Sequence, residues 1–439
     1  NRNEGVSALS ATLNAQIEYR RNVNDRLSAL PAIAGVGTST NLRLPVSLNV
    51  SRRGVQHSVS MGYTRNRNAT TNRYAGALDV AAQTGIAGTS PDPFAWGIPS
   101  LSFATLTSVN DLTPSDRTDQ RVTLGYSWSR GISAHRVRLG GEVGGSRSQG
   151  RTDQNARGAF VFTGLYSDSD FADFLLGLPQ QASVQYGPGS VRLSGRTVSL
   201  YAQDDWRRWS SVTLNAGVRY ELVTPLRDDA GHLANLDVAP GFVAVSPVLS
   251  GASGPYSGPF PDGLVRTDTN NIAPRIGAAW RVAPRTTLRL GYGVSFNTGS
   301  YAGLARQLSS QPPFAITNSS TGTTAQPLTL TTSLTNGSAS TRNTFGVDRN
   351  YEAGVVRTWT IDLSRDMGDA WNLSAGVTRA SGSQLDIVRA PNRGPVGLLL
   401  PDVQPFLWQT SEGRSRLRSA TIRIRRWYVR GLSTSVNYT

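Results

Sequence analysis

The sequence predicts an all-β fold, an antiparallel transmembrane β-barrel of about thirteen strands with short turns at one end and long loops at the other. Two observations lead to this prediction. Apolar and polar residues alternate along many segments, and short connections between those segments alternate with long ones. A third observation argues against a helical membrane protein, because no apolar run reaches the roughly 20 residues that a membrane-spanning helix needs.

The clearest alternation lies in residues 199–221, with the sequence SLYAQDDWRRWSSVTLNAGVRYE. Leu214 and Val218 fall on one face of an extended chain, whereas Arg219 and Glu221 fall on the other. Only residues 207–211 separate this run from the alternating run before it, so the two runs predict a hairpin. Asp204 and Asp205 then point to opposite faces and cannot act together as an acid–base pair.

The same pattern predicts five further hairpins and one additional strand. Their turns are centred on Gly54, Gly131-Ile132, Ala283-Pro284, Gly368-Asp369 and Arg430-Gly431. The predicted strand pairs are residues 41–53 and 55–66, 117–130 and 133–147, 272–282 and 285–297, 352–367 and 370–384, and 414–428 and 432–439, with the extra strand at residues 8–21. Most of these segments are long enough to cross a bilayer when tilted.

Long polar segments connect these hairpins to one another. They are rich in Gly, Pro, Ser and Thr and cover residues 67–116, 148–193, 225–271, 298–351 and 385–413. In a transmembrane barrel, the short turns face the periplasm and the long loops face the outside of the cell. A large soluble β-sandwich or propeller remains the alternative architecture, although such folds do not require this strict alternation of connection lengths.

The alternation also predicts which side chains share a face. The face rich in Ser, Thr, Asn, Gly and Arg is predicted to line a wet interior, and the apolar face is predicted to meet lipid. The candidate lumen-lining residues are Gln203, Arg219, Glu221, Arg275, Arg289, Arg423 and Arg425. The candidate lipid-facing residues are Leu214, Val218, Leu290, Tyr292, Ile422 and Ile424.

Aromatic residues recur near the ends of the predicted strands, most of them beside short turns. Amphipathic rings of this kind form girdles at the two membrane interfaces of transmembrane barrels. The predicted girdle consists of Trp128, Trp206, Trp209, Tyr220, Trp280, Trp371 and Trp427. Arg207 and Arg208 then lie in a solvated turn.

The composition argues against several kinds of function. There is no cysteine, there are only three histidines, and the formal net charge is +15 with no lysine in the chain. Thiol nucleophiles, disulfides and Cys-based zinc sites are excluded, and the dispersed arginines lack the dense basic tail or recognition helix of a nucleic-acid-binding protein. Asp168, Asp170 and Asp173 lack the spacing of a calcium loop and instead predict a helix over residues 171–178. We therefore expect no enzyme activity, no cofactor, no metal and no nucleic-acid partner.

An ordered set of segments resembles the barrel of TonB-dependent outer-membrane receptors, in particular the Oar-like branch. The segments include FADFLLGLP at residues 171–179, YAQDDW at residues 201–206, LNAGVRYE at residues 214–221, NNIAPRIGAAW at residues 270–280 and LRLGYGVSF at residues 288–296. The stretch at residues 85–103 and the final RRWYVRGLSTSVNYT are also similar to this branch. The resemblance covers nearly the whole chain in the family's order.

The resemblance implies an outer-membrane barrel in a Gram-negative bacterium that takes up a bulky ligand, such as a peptide, a glycan or a chelate. Its implied partners are outer-membrane lipid, an unknown ligand and a TonB-type energy-coupling protein. Family members have more strands, an N-terminal plug and a TonB box, none of which can be placed here. Residues 1–439 are therefore expected to be one barrel domain truncated at both ends, with a passive porin-like or adhesin barrel as the alternative function.

Overall fold

Thirteen strands dominate the computed structural model, counting the interrupted first one once. The structure describes residues 9–152, 155–187, 189–340, 342–368, 370–429 and 431–439. The first of the thirteen is interrupted and consists of Ser10–Ala15 and Glu18–Arg26. The others are Gly35–Arg52, Val55–Asn72, Ser115–Ile132, His135–Thr152, Val191–Trp206, Val212–Val223, Ile272–Ala283, Thr286–Asn297, Gly354–Gly368, Trp371–Arg389, Leu407–Val429 and Leu432–Tyr438. In the described part of the chain, no helix is long and apolar enough to span a bilayer.

These strands form one large sheet in which each strand pairs antiparallel with the next one along the chain. Two short strands join this sheet at its rim: Arg227–Asp228 pairs with Val191–Trp206, and Phe345–Val347 pairs in parallel with Leu407–Val429. Within the described residues, Leu432–Tyr438 pairs with Leu407–Val429 and not with the first strand, so the sheet is open. The fold class predicted from the alternation is confirmed.

The short turns lie close to their predicted positions. Arg53 and Gly54 have φ values of 49° and 75°, and positive φ at both central residues suits the twist of a two-residue hairpin. Three predicted turns are displaced by one or two residues. The pairing continues through Gly131 and Ile132, so Ser133, with φ of 54°, begins that turn, and Ala283 and Gly368 are likewise still paired, with Thr286 and Trp371. The predicted turn residues Asp369 and Arg430, and Ala8 at the start of the first predicted strand, lie outside the described residues.

The two faces of the large sheet differ in chemistry along its whole width. Directly opposed residues share a face, so the register carries each face from strand to strand. One face presents apolar side chains that are 39–60 % exposed, although a folded soluble protein would bury most of them. This apolar face includes Val46, Val59, Met61, Leu124, Tyr126, Val143, Leu200, Val218, Ile276, Leu290, Trp359, Ile361, Val377 and Ile422.

The long connections fold into a layer of their own at one end of the sheet. They contain the α-helices Val80–Gln83, Asp170–Leu175 and Tyr301–Ser309 and the 3-10 helices Pro93–Ala95 and Pro240–Phe242. A further 3-10 helix, Pro31–Ile33, lies in the short connection before the strand Gly35–Arg52. A five-stranded sheet contains Ser100–Phe103, Ala159–Phe162, Gln181–Tyr186, Ile316–Thr321 and Ser338–Ala339. Three small hairpins pair Ala234–Val238 with Val245–Leu249, Ser253–Gly254 with Gly258–Pro259, and Arg393–Gly394 with Gly397–Leu398.

The helix predicted over residues 171–178 forms over Asp170–Leu175, and its start is well capped. Ser169 Oγ accepts a hydrogen bond from the Ala172 amide at 3.3 Å. Gly177 has φ of 70°, a left-handed conformation that ends the helix before Pro179. Asp170 is bonded to the Thr105 amide at 2.6 Å, so it ties two connections together.

Two consecutive residues test the assignment of the faces. Val377 lies on the apolar face and Thr378 on the polar face of the same strand. We expect Val377→Arg to destabilise the membrane-inserted protein by roughly 2–4 kcal/mol, because the guanidinium would enter hydrocarbon. Thr378→Arg serves as the matched control and should cost much less. Urea unfolding in lipid bilayers measures both, and equal losses would contradict the assignment.

Candidate lumen face and loop layer

All seven candidate lumen-lining residues lie on the polar face of the large sheet. Gln203 is opposite Gly217, which is opposite Arg275, and Arg275 is opposite Gly293. The remaining candidates follow the same register: Arg219 is opposite Tyr201, Glu221 is opposite Ser199, Arg289 is opposite Asp362, Arg423 is opposite Ser374 and Arg425 is opposite Asn372. The six candidate lipid-facing residues lie on the other face. This grouping matches the predicted alternation, and the lumen itself remains a proposal.

The polar face is cross-linked by hydrogen bonds between neighbouring strands. Asp205, which is 4 % exposed, accepts hydrogen bonds from Asn215 Nδ2 at 2.6 Å and from Gln203 Nε2 at 3.2 Å, and it also pairs with Arg138. Asp204 is oriented to the opposite side, where its Oδ2 lies 2.6 Å from His135 Nδ1. The two adjacent aspartates therefore have separate surroundings, as their positions on a strand predict.

Several arginines of the polar face are likewise held by neighbours. Arg219 Nε donates to Glu221 Oε1 at 2.5 Å, Arg289 Nη1 donates to Ser364 Oγ at 3.2 Å, and Arg423 Nε donates to Asn437 Oδ1 at 2.6 Å. Gln203, Arg219 and Arg275 border a recess of about 480 Å³ on this face. The polar face therefore offers ordered hydrogen-bond donors to a ligand or to water.

Five of the seven girdle candidates lie on the apolar face: Trp128, Trp206, Tyr220, Trp280 and Trp371. Trp206 stacks on His135 with ring centroids 5.4 Å apart and lies 5.0 Å from Trp209 in the adjacent turn. At the other end of its strand, the Tyr220 hydroxyl donates to the Thr269 carbonyl at 3.1 Å. These positions suit rings at two interfaces.

Trp427 differs from the other girdle candidates. The guanidinium of Arg425 lies 3.7 Å from the centre of its indole ring, so Trp427 is grouped with a lumen candidate two residues earlier. The register between Leu407–Val429 and Leu432–Tyr438 shifts between Arg426 and Val429, where Trp427 lies, so the contact with Arg425 is the observation that groups it with the polar face. We therefore leave Trp427 out of the proposed girdle.

The loop layer packs on the polar face through a hydrophobic core that the sequence analysis did not predict. Leu193, whose side chain belongs to the polar face, is buried with Leu233, Leu264, Leu304 and Val347 from two different connections. The spacing of Tyr301, Leu304, Ala305 and Leu308 is that of an amphipathic helix, and this signal was available in the sequence. A second core joins Phe160, Phe162, Val184 and Leu334.

A buried ion pair joins two connections of this layer, and Asn72 holds one of them to the end of a long strand. Asp111 Oδ2 lies 3.4 Å from Arg157 Nη1, and both side chains are almost fully buried. Burial raises the pKa of Asp111 and lowers the pKa of Arg157, since the interior disfavours both charges. Asn72, at the end of Val55–Asn72, donates to the Trp96 carbonyl at 3.0 Å and accepts from the Ala75 amide at 2.7 Å.

A cavity of about 310 Å³ lies between the polar face and the helix Tyr301–Ser309. Arg117 from the sheet and Arg306 from the helix both border it, together with Ser148, Gln185 and Ser309. Arg117 Nε lies 2.9 Å from Asp119 Oδ2, whereas Arg306 makes no ion pair with a described residue. Burial, followed by the charge of Arg117, lowers the pKa of Arg306. The cavity could hold an anionic or hydrogen-bond-accepting group.

Across the described ranges, no group of three or more His, Asp or Glu side chains is placed to hold a metal ion. The chemistry that this surface offers is hydrogen bonding and charge complementarity from arginine, serine and amide side chains.

Two buried tyrosines, Tyr301 at the start of the helix and Tyr351 beside it, lead to a prediction about alkaline pH. Burial, followed by the charge of Asp268, raises the pKa of Tyr301 from 10.0 to about 12, and burial also raises the pKa of Tyr351, whose ring lies 6.1 Å away. Because the folded pKa is the higher one, the stabilisation from Tyr301 is complete below pH 10 and is lost as the pH rises through about 12, for a total of up to about 3 kcal/mol.

Tyr301→Phe should therefore move the alkaline loss of loop-layer structure to higher pH, as followed by near-ultraviolet circular dichroism. Tyr256→Phe is the control, because Tyr256 lies in the same layer and is 43 % exposed. Superimposable alkaline curves for Tyr301→Phe and the unmodified protein would be inconsistent with a buried neutral phenol at this position.

Comparison with known proteins agrees with this architecture. The structure is similar to the outer membrane transporter YddB from Escherichia coli, with a TM-score of 0.59 and 10% identity over 97% of this chain and 45% of the transporter. It is also similar to FpvA of P. aeruginosa, solved with heterologous pyoverdines, with a TM-score of 0.51 and 9% identity over 97% of this chain and 46% of FpvA. The chain thus spans less than half the length of these structures, and at such low identity the likeness shows the fold alone.

No curated protein matches the sequence. The family model described as outer membrane beta barrel domain matches residues 46–439, which is most of the chain. The exposed apolar face, the polar face behind it and the alternating connections are the features that such a domain requires. The chain therefore belongs to the outer membrane beta barrel domain family and resides in the outer membrane of a Gram-negative bacterium.

Proposed function

We propose that residues 1–439 form the barrel domain of a TonB-dependent receptor-like transporter that takes up a bulky ligand, such as a peptide, a glycan or a chelate. The observation that carries this proposal is the loop layer seated on the polar face, with the 310 Å³ cavity between them. A ligand captured by the loops would pass directly onto the arginines and amides of that face. The resemblance of the ordered segments to the Oar-like branch supports the same function.

The similar structures favour transport over a purely passive pore. YddB is described as an outer membrane transporter, and FpvA was solved with pyoverdines. By this proposal, energy would come from a TonB-type protein that contacts parts of the transporter other than the sheet described here. The lumen candidates Gln203, Arg219 and Arg275 would form part of the ligand path, and the aromatic girdle would hold the domain at the two interfaces.

Uptake by cells that express the full-length protein tests this function. The probes are a fluorescein-labelled peptide, a fluorescein-labelled oligosaccharide and a ferric hydroxamate. We expect saturable uptake of one probe class that a protonophore abolishes and that Arg306→Glu reduces, because a carboxylate would then face the cavity. Arg208→Glu, in the short turn, is the control and should leave uptake unchanged.

The passive alternative makes a different prediction. A porin-like barrel would admit all small probes without saturation and regardless of the protonophore. It would also give steady ion conductance in planar bilayers, which a gated transporter would not. Protonophore-insensitive uptake together with such conductance would replace the transport proposal with the passive one.

The orientation of the domain has its own test. We predict that the connections at residues 225–271 and 298–351 lie outside the cell and that the turn at residues 207–211 faces the periplasm. When intact cells are treated with trypsin, the protein should be cleaved within the long connections, where Arg227 and Arg306 are exposed. Arg207 and Arg208 should be cleaved only after the outer membrane is permeabilised. Cleavage at Arg207 or Arg208 in intact cells would reverse the orientation.

A further inference from the structure

A patch of arginines lies on the apolar face, at the end where the long connections begin. Residues that lie directly opposite one another form a row across neighbouring strands. The row of Met61, Leu124, Val143 and Val198 is apolar throughout. The next row towards the connections contains Tyr63, Val122, Gly145 and Arg196. Two further rows follow at about 7 Å intervals. One contains Arg65, Gln120, Arg147, Ser194 and Arg227, and the other contains Arg67, Thr118, Gln149 and Arg192.

This basic rim, defined as Arg65, Arg67, Arg147, Arg192, Arg196 and Arg227, has more positive than negative charge. Arg67 pairs with Asp116 at 2.6 Å, and Arg147 pairs with Asp229 at 2.6 Å. The other four arginines form no ion pair with any residue that the structure describes, and all six are exposed. Guanidinium groups on an otherwise lipid-compatible face therefore remain free to bind an anion.

The basic rim borders a cavity at the sheet with a volume of about 650 Å³. Arg147, Arg196 and Arg227 form one side of the cavity together with Tyr63 and Val122. The segment at residues 261–265, from the connection above, forms the other side and contributes one acid, Asp262. The side formed by the sheet therefore combines apolar and aromatic side chains with three arginines, whereas the segment above it contributes no basic residue.

We infer that the basic rim binds the phosphate groups of an outer-leaflet lipid such as lipopolysaccharide. Guanidinium groups bind phosphate oxygens in a bidentate manner, and several of them on neighbouring strands can hold more than one phosphate. The acyl chains of the same lipid would lie along the apolar rows directly below. This inference rests on the proposed orientation, since the outer leaflet lies at the end of the long loops only if those loops face outwards.

The position of the rim favours a lipid over a soluble anion. A soluble ligand on its way through the barrel would meet the polar face, whereas these arginines lie on the opposite face. They also follow directly on the exposed apolar rows, without an intervening polar row. A lipid with acyl chains and a phosphorylated head group fits this surface, because its chains would contact the apolar rows and its phosphates the adjacent arginines.

The test uses the full-length protein purified from outer membranes and three probes: lipopolysaccharide, dephosphorylated lipopolysaccharide and inorganic phosphate. We expect lipopolysaccharide to bind, and removal of its phosphates to weaken binding. The variant with Arg65, Arg192, Arg196 and Arg227 all changed to Gln should bind lipopolysaccharide about tenfold more weakly or worse, since each arginine contributes to binding an anionic surface. The control changes Arg207 and Arg208 to Gln at the opposite end of the sheet and should bind normally.

Each other outcome has a defined meaning. Equal binding by the quadruple variant and the control, or equal binding of both lipid forms, would overturn the inference. Displacement of lipopolysaccharide by dilute inorganic phosphate would show a site for a soluble anion instead. Loss of heat-modifiable gel mobility would show that the quadruple variant does not fold. In that case, lipopolysaccharide binding by the unmodified protein is measured at low and high salt, and binding that high salt does not weaken would contradict a phosphate–arginine contact. Probe uptake, measured separately, distinguishes failure of this site from failure of the transport function.

Discussion

The backbone hydrogen bonds between neighbouring strands are the constraint on which the other features depend. Within hydrocarbon no water is present to satisfy a free N–H or C=O group, so each strand must pair along its full length. This pairing fixes the register, and the register assigns every side chain to a face. A slip of one residue between Val191–Trp206 and Val212–Val223 would place Arg219 in lipid and Val218 among the polar groups.

The position of the loop layer depends on the same strand pairing, because the layer contacts the sheet through residues near the ends of long strands. Leu193 and Asn72 belong to strands of the large sheet, yet they are buried by residues from the connections. The layer therefore has a fixed position over the polar face, and the cavity that contains Arg117 and Arg306 has one wall from each part. A ligand at this junction would contact both parts, so binding could alter how the loops are seated on the sheet.

Local patterns predicted the large sheet well, because a strand with two different faces records its register in its own sequence. The opposite placement of Asp204 and Asp205 and the positions of most turns follow from that pattern alone. The loop cores could not be predicted in this way, since Phe160 and Leu334, or Leu233 and Val347, come from connections far apart in the chain. The aromatic girdle stays a prediction, because a position beside a turn does not by itself determine a face, as the contact of Trp427 with Arg425 illustrates.

The chain contains arginine but no lysine, and its arginines have different surroundings on the two faces of the sheet. On the polar face, Arg138 and Arg219 lie against Asp205 and Glu221, so much of their charge is compensated within the sheet. On the apolar face, acids are fewer than arginines in the basic rim, and further arginines of this face lie at Arg357, Arg379, Arg416 and Arg418. An excess of fixed positive charge next to an apolar surface is stabilised by anionic lipid head groups, and the proposed orientation would bring the basic rim to the level of such head groups.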